Sequence, residues 1–179
     1  NGCTSVAITT VTGDTQVPSS SASNDGPLTC TKTSVTLTAN PATGVSYAWS
    51  GGGSNRTKVV TTAGTFTVTV TSNINGCSSV ATTTVDQNIV VPNASADNIG
   101  GPLTCIDNSA TIRAFPNIAT YTYAWSGPSG YTATSRTNNV SVSGNYTVTV
   151  TDSQNGCTAS ASTNVLQDTS IPTANAGPD

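Results

Sequence analysis

The sequence predicts an all-β protein made of repeated small sandwich domains, and three observations carry that prediction. The first is composition. Of 179 residues, five are Lys or Arg and eight are acidic, every acid is Asp, and Glu, His and Met are absent, while 35 Thr and 23 Ser make up about a third of the chain. Glu, Lys, Met and Leu, residues that helices use, are nearly missing, and Thr, Val, Ser and Gly dominate. The second is a period-two alternation of apolar and hydroxyl side chains, the mark of half-buried antiparallel strands. The third is an internal repeat of 75–80 residues, too long for a solenoid coil and the right size for a small sandwich.

Taken in order, each strand follows from that alternation. Val35, Leu37 and Ala39 share one face against Thr36 and Thr38; Val45, Tyr47 and Trp49 share the next. Phe66, Val68 and Val70 then alternate with Thr65, Thr67, Thr69 and Thr71. The second copy repeats the pattern with Ala110, Ile112 and Ala114, with Tyr121, Tyr123 and Trp125, and with Tyr146, Val148 and Val150. Asn40-Pro41, Gly51-Gly52-Gly53, Ala63-Gly64, Ser143-Gly144 and Asn155-Gly156 supply the turns. About seven short strands per repeat give an immunoglobulin-like sandwich, with Trp49 and Trp125 as core residues of the third strand. A domain of roughly 75 residues has a thin core that crosslinks would reinforce.

The repeat sets the boundaries. Leu28-Thr29-Cys30 recurs as Leu103-Thr104-Cys105, Tyr47-Ala48-Trp49-Ser50-Gly51 as Tyr123-Ala124-Trp125-Ser126-Gly127, and Asn75-Gly76-Cys77 as Asn155-Gly156-Cys157. Asn1-Gly2-Cys3 is a third copy of the last motif, and Asp168-Thr169-Ser170-Ile171-Pro172 matches Asp14-Thr15-Gln16-Val17-Pro18. The expected organisation is a tail strand of a preceding repeat over 1–13, one repeat over 14–85, a second over 86–167, and the head of a following repeat over 168–179. The segment thus reads as a window on a longer head-to-tail array.

Several functions are excluded. A formal charge of −3 with five scattered cations provides no basic footprint for nucleic acid. No apolar run is long enough to insert in a membrane. General acid–base chemistry lacks His and Glu, and nothing would activate a Ser or Thr as nucleophile, so the chain is not read as an enzyme. Five cysteines in a chain without CxxC pairs or His point to an oxidising compartment rather than to zinc.

The ordered series of motifs supports a resemblance. A head such as Ile171-Pro172-Thr173-Ala174-Asn175-Ala176-Gly177-Pro178-Asp179 precedes Cys, the Val35–Ala39 type of strand, Tyr-Ala-Trp-Ser-Gly, Tyr/Phe-Thr-Val-Thr-Val-Thr and Asn-Gly-Cys. This series resembles the PKD-like/Ig-like tandem repeats of giant cell-surface proteins common in Bacteroidetes, including gliding-motility adhesins. The resemblance covers nearly the whole chain and implies a tandem Ig-like (PKD-like) β-sandwich fold at the extracellular surface. It does not specify a ligand.

Two disulfide patterns stay open. One joins Cys30 to Cys77 and Cys105 to Cys157 within each repeat. In the expected topology, however, those positions begin the second and last strands, at opposite ends of a domain, and a strand of about six residues spans roughly 20 Å. A disulfide needs Cα atoms within about 7 Å. The favoured alternative joins Cys30 to Cys157 across successive repeats, with Cys3, Cys77 and Cys105 bonding repeats outside this window.

Asp14, Asp86 and Asp168 recur at the expected junctions, with Asp97 eleven residues after Asp86; together they could supply oxygen ligands to Ca²⁺, the one cofactor the sequence suggests, although Asp also serves to cap turns. Asn55, Asn93, Asn139 and Asn145 begin glycosylation-type triplets. The Thr rows (Thr65, Thr67, Thr69 and Thr71; Thr147, Thr149 and Thr151) and Tyr131 offer surfaces for a glycan, but more simply serve strand formation and solubility. The leading expectation is therefore a structural module of a secreted or cell-surface bacterial fibre or adhesin that gives length and stiffness, partnered by further copies of the same repeat or chain. The alternative is a module that binds carbohydrate or another surface ligand. A further route to assembly is exchange of edge strands between neighbouring chains.

Overall fold

The computed structural model describes residues 1–171 and Gly177; the rest of the repeat head expected over 168–179, including Asp179, lies outside the described residues. The chain divides into two compact units, Asn1–Leu28 with Lys32–Gln87, and Thr29–Thr31 with Asn88–Asp179. The three residues around Cys30 thus belong by sequence to the first repeat but pack with the second unit.

The first unit contains β1 (Ser21–Asn24), the start of β2 (Leu28–Thr29), β3 (Val35–Asn40), β4 (Val45–Trp49), β5 (Thr57–Val60), β6 (Gly64–Ser72) and β7 (Ser78–Val85), followed by β8 (Gln87–Asn88) where the chain leaves it. One sheet has the order β1-β3-β5, the other β4-β6-β7, and β2 pairs with β8. Leu37 lies opposite Asn24 on one side and Lys58 on the other, which turns Val35, Leu37 and Ala39 inward together. In the second sheet Val68 lies between Trp49 and Ala81. The buried residues Leu28, Val35, Leu37, Ala39, Trp49, Val60, Val68, Val70 and Val85 close the sandwich. Four antiparallel pairings split over two sheets, with a Trp on β4, define an immunoglobulin-like fold.

The second unit follows the same plan with β9 (Ser95–Asn98), β10 (Ala110–Phe115), β11 (Tyr121–Ser126), β12 (Thr132–Ala133), β13 (Thr137–Val140), β14 (Gly144–Asp152) and β15 (Thr158–Val165). Its sheets have the orders β13-β10-β9 and β12-β11-β14-β15. Its core of Leu103, Ala110, Ile112, Ala114, Trp125, Val140, Tyr146, Val148, Val150 and Val165 matches the first position by position, with Tyr146 where the first unit has the half-buried Phe66. Each Trp reaches a backbone acceptor, Trp49 Nε1 donating to Asn55 O at 3.0 Å and Trp125 Nε1 to Ser135 O at 3.1 Å, so burying the indole leaves no orphan donor. The extra residues of the second repeat form a 3-10 turn (Pro128–Gly130) and the added edge strand β12.

Residues 1–20, which include the tail strand expected over 1–13, hold no strand. Val6, Ile8 and Val11 are exposed there. A strand needs a neighbour for its backbone donors and acceptors, and this segment pairs with no sheet edge. The Thr rows do face outward, and cross-strand hydroxyl pairs line them: Thr65 with Thr84 at 3.2 Å, Thr147 with Ser162 at 2.9 Å and Thr149 with Ser160 at 3.1 Å.

Candidate functional site

The chemically distinctive feature is the disulfide between Cys30 and Cys157, whose Cα atoms lie 5.0 Å apart although 127 positions separate them in sequence. It is built on a tight turn between β14 and β15. Gly156 N–H donates to Asp152 O at 2.7 Å and Asp152 N–H to Cys157 O at 2.9 Å, which closes the hairpin. Asn155 fills the turn and is only 2 % exposed. Its Oδ1 accepts from Cys157 N at 2.8 Å, and its Nδ2 donates to Asn88 Oδ1 at 3.0 Å and Val90 O at 2.9 Å. Its carbonyl accepts from Cys30 N at 3.1 Å. One side chain therefore shapes the turn and holds the segment at Asn88–Val90, and its backbone receives the incoming cysteine, with no buried side-chain nitrogen or oxygen left unpaired among the described residues.

Gly156 is required twice over. Its φ of +70° lies in the left-handed region, and a Cβ there would overlap the Thr31 side chain, 2.9 Å from its Oγ1. With the segment Thr29–Thr31 seated against the turn, Cys157 is 1 % exposed.

Cys3, Cys77 and Cys105 carry free thiols; Cys77 is half-buried, and Cys3 and Cys105 are exposed. Among the described residues the structure thus brings Cys30 to Cys157 and brings neither Cys77 nor Cys105 to a disulfide partner. The motif Asn-Gly-Cys, present three times, was the sequence signal for the turn: Cys3 N donates to Asn1 Oδ1 at 3.2 Å and Cys77 N to Asn75 Oδ1 at 3.0 Å, as Cys157 does to Asn155. That Asn155 would also hold the preceding linker was not legible, since that contact spans 65 positions.

The acidic positions are dispersed. Asp97 pairs with Arg113 at 2.8 Å, and Asp14 Oδ1 accepts from Gln16 N at 3.1 Å. Asp168 Oδ1 accepts from Ser170 Oγ at 2.6 Å and from its N–H at 3.1 Å, and the Ser170 hydroxyl, then its amide, hold that carboxyl below its ordinary range. The Asp86 side chain is exposed, while its carbonyl accepts from Leu28 N at 2.9 Å. Among the described residues, no three His, Cys, Asp or Glu side chains converge on a point that could hold a metal.

A second feature belongs to the second unit alone. A shallow cleft of about 240 Å³ is lined by Pro128, Tyr131, Asn139, Val140, Val142 and Tyr146. The two Tyr rings meet edge to face with centroids 5.2 Å apart, and Tyr146 OH donates to Val142 O at 2.7 Å. Burial pushes both phenols above their ordinary pKa. The cleft is smaller than the roughly 300–1,000 Å³ of ordinary ligand pockets. Asn55, Asn93, Asn139 and Asn145 are all exposed.

No protein-family model and no curated protein sequence matches the chain. Among solved structures it is similar to the three N-terminal domains of the highly immunogenic outer capsid protein (Hoc) of bacteriophage RB49, at 17% identity and a TM-score of 0.48, over 83% of this chain and 58% of that one. It is also similar to the four N-terminal Ig domains of Dscam1 isoform 1.9 (14% identity, TM-score 0.29, 80% of this chain and 43% of that one). A third likeness is to the BSP domain of a biofilm-associated protein (16% identity, TM-score 0.28, 84% and 30%). The chain spans little more than half of the longest-matched of these structures and less of the others. The Ig-like class itself stands on the strand order and the duplicated core.

Proposed function

We propose that this chain is a load-bearing repeat segment of an extracellular bacterial fibre or adhesin, similar in its motifs to the PKD-like/Ig-like repeats of Bacteroidetes surface proteins. The observation that carries this reading is a disulfide joining a cysteine of one sequence repeat to a cysteine of the next, outside either hydrophobic core. Catalysis does not call for such a bond, whereas resistance to extension does. Tension on a chain passes through a crosslink, so the residues between Cys30 and Cys157 cannot be drawn out while the bond holds. Oxidising conditions of secretion would form it. Sparse Lys and Arg, the low charge and the outward Thr and Ser rows suit a protease-exposed surface, and the array would continue through further copies of the repeat.

Single-molecule pulling from the two ends tests the reading. The 127 positions enclosed by the bond correspond to about 45 nm of extended chain. That length is expected to appear only after a reductant is added. Its release from the oxidised protein would overturn the load-bearing role.

The cleft at Tyr131 and Tyr146 favours a second reading, a carbohydrate-binding module, because the half-buried Tyr131 ring lining a cleft beside Asn139 suits a sugar ring. Glycan-array binding that Tyr131→Ala abolishes would favour this reading; absence of binding would leave the mechanical one.

A further inference from the structure

The bonded joint has two halves, and each occurs a second time in the chain without its counterpart. The receiving half at Cys157 comprises the closed turn, the Asn clamp on the linker and the glycine that leaves room for the incoming segment. The turn before Cys77 reproduces it. Gly76 N–H donates to Ser72 O at 3.0 Å and Ser72 N–H to Cys77 O at 2.8 Å. Asn75 Nδ2 donates to Gln16 O at 2.9 Å, at the position equivalent to Val90 in the other repeat. Gly76 has φ +73°, against +70° at Gly156, but a Cβ on Gly76 would meet nothing within 4 Å. Asn75 and Cys77 are half-buried, where Asn155 and Cys157 are buried under the seated Thr29–Thr31 segment.

The incoming half is duplicated too. Leu28 is buried and donates its N–H to Asp86 O at 2.9 Å; Leu103 is buried and donates to Leu166 O, at the equivalent position, at 2.8 Å. Both anchors leave the following Cys at the surface, and Cys105 is exposed. The same Leu-Thr-Cys segment is thus presented twice, once bonded and once free.

We propose that the Asn75–Cys77 turn is a receiving site for the Leu-Thr-Cys head of another copy of this repeat, and that Cys105 is the matching head, so that copies join through Cys105–Cys77 bonds. Recognition would follow the bonded joint: the incoming Cys N–H donates to Asn75 O, the next residue lies against Gly76, and the two sulfurs bond. The oxidant is a disulfide such as glutathione disulfide. One protein thiolate attacks it, forming a mixed disulfide and releasing one thiolate; the second protein thiolate attacks the mixed disulfide and releases the other. Two protein thiols lose two protons and two electrons, and one oxidant disulfide becomes two thiols. The inference rests on the fibre reading only in taking the neighbour to be another such repeat.

The test uses the whole 179-residue chain with Cys3→Ser, to remove a competing thiol, oxidised by glutathione disulfide at high protein concentration. Cleavage before Asp and after Lys or Arg places every cysteine on a separate peptide, since Asp86 and Asp97 separate Cys77 from Cys105. The expected result is a reductant-sensitive ladder of oligomers joined by a Cys77–Cys105 peptide, with the Cys30–Cys157 peptide intact. Cys77→Ser and Cys105→Ser should each abolish the ladder. Gly76→Ala, which keeps the thiol but obstructs the seat, should slow crosslinking about tenfold. Where that variant fails to fold, Gly76→Asn replaces it, because Asn tolerates left-handed backbone yet still carries a Cβ. Symmetric Cys77–Cys77 or Cys105–Cys105 dimers, a Cys77–Cys105 bond closed within one chain, or crosslinking indifferent to both Gly76 variants would overturn the proposal. A chain that forms no ladder but releases its 127 positions only under reductant would lose this joint and keep the load-bearing role.

Discussion

Gly156 and Gly76 form a matched pair on which the reasoning about the joint can be tested. Both occupy the left-handed region, at φ +70° and +73°, in equivalent turns. Alanine at either position therefore pays the same backbone strain, about 1–2 kcal/mol. The difference lies in what the new methyl meets. At Gly76 it meets nothing within 4 Å; at Gly156 it overlaps the Thr31 side chain and approaches its Oγ1 to 2.9 Å and its Cβ to 3.2 Å. Pushing a packed segment aside adds about 1–3 kcal/mol, and this falls on the oxidised joint, because the segment relaxes away once the bond opens. Titration with a dithiol reductant, quenched and scored by thiol alkylation, reads that term directly. Gly156→Ala should lower the reductant needed to open Cys30–Cys157 by about fivefold or more, since 1.4 kcal/mol is a factor of ten in this equilibrium. Gly76→Ala should leave that midpoint unchanged while lowering the stability of its own turn. Equal midpoints for the two variants would refute the claim that close approach of Thr31, rather than turn geometry alone, shapes the site.

Reducing the disulfide should cost up to about 5 kcal/mol in urea unfolding, the chain-entropy value for a loop of 127 positions, and an unchanged urea midpoint would show that the bond restrains little. Leu37→Ala and Ile112→Ala, equivalent and fully buried in the two cores, should each cost about 2–5 kcal/mol in the unfolding of their own unit, and a loss under 1 kcal/mol at either would contradict the duplicated core. The Asp25 carboxyl is held below its ordinary range first by the Thr36 N–H at 2.9 Å and then by Lys32. Its contribution is present above the ordinary carboxylate pKa and lost as pH falls through the depressed value, so Asp25→Asn should flatten the urea midpoint against pH in that acid window. Tyr131 and Tyr146 are shifted the other way, by burial, so their contribution is complete below the ordinary phenol pKa and disappears as pH rises through the raised values. Absorbance titration should show a late ionisation step that is lost in Tyr131→Phe.

Much of the fold was legible because a strand writes its two faces into alternate residues. Val35, Leu37 and Ala39, or Tyr146, Val148 and Val150, declare which side is buried before any partner is known, and the second copy of each strand repeats the declaration. The added edge strand β12 was less legible: Thr132 and Ala133 are too few to show a period, and only their pairing with Ser126 and Trp125 makes them a strand. The cleft was hidden for a similar reason. Tyr131 read only as a surface for a glycan, yet in the folded unit it packs edge-on against Tyr146. The first thirteen residues show the opposite case, in which the alternation of Val6 and Ile8 is present but no sheet edge accepts it.

By itself the sequence determined the class of domain and the register of the repeats, since both depend on local alternation and on motifs recurring along one chain. The span of a strand already favoured Cys30–Cys157 over pairs within a repeat, but the approach that makes the bond belongs to the tertiary structure. The five cysteines fall into two sequence contexts, Asn-Gly-Cys at Cys3, Cys77 and Cys157 and Leu-Thr-Cys at Cys30 and Cys105; what distinguishes Cys30 and Cys157 within them is a 5.0 Å approach between Cα atoms 127 positions apart, made possible where Gly156 has no side chain to keep Thr31 away. Disulfide formation depends on distance in space, and no local pattern encodes which of several equivalent turns will find an incoming segment seated against it.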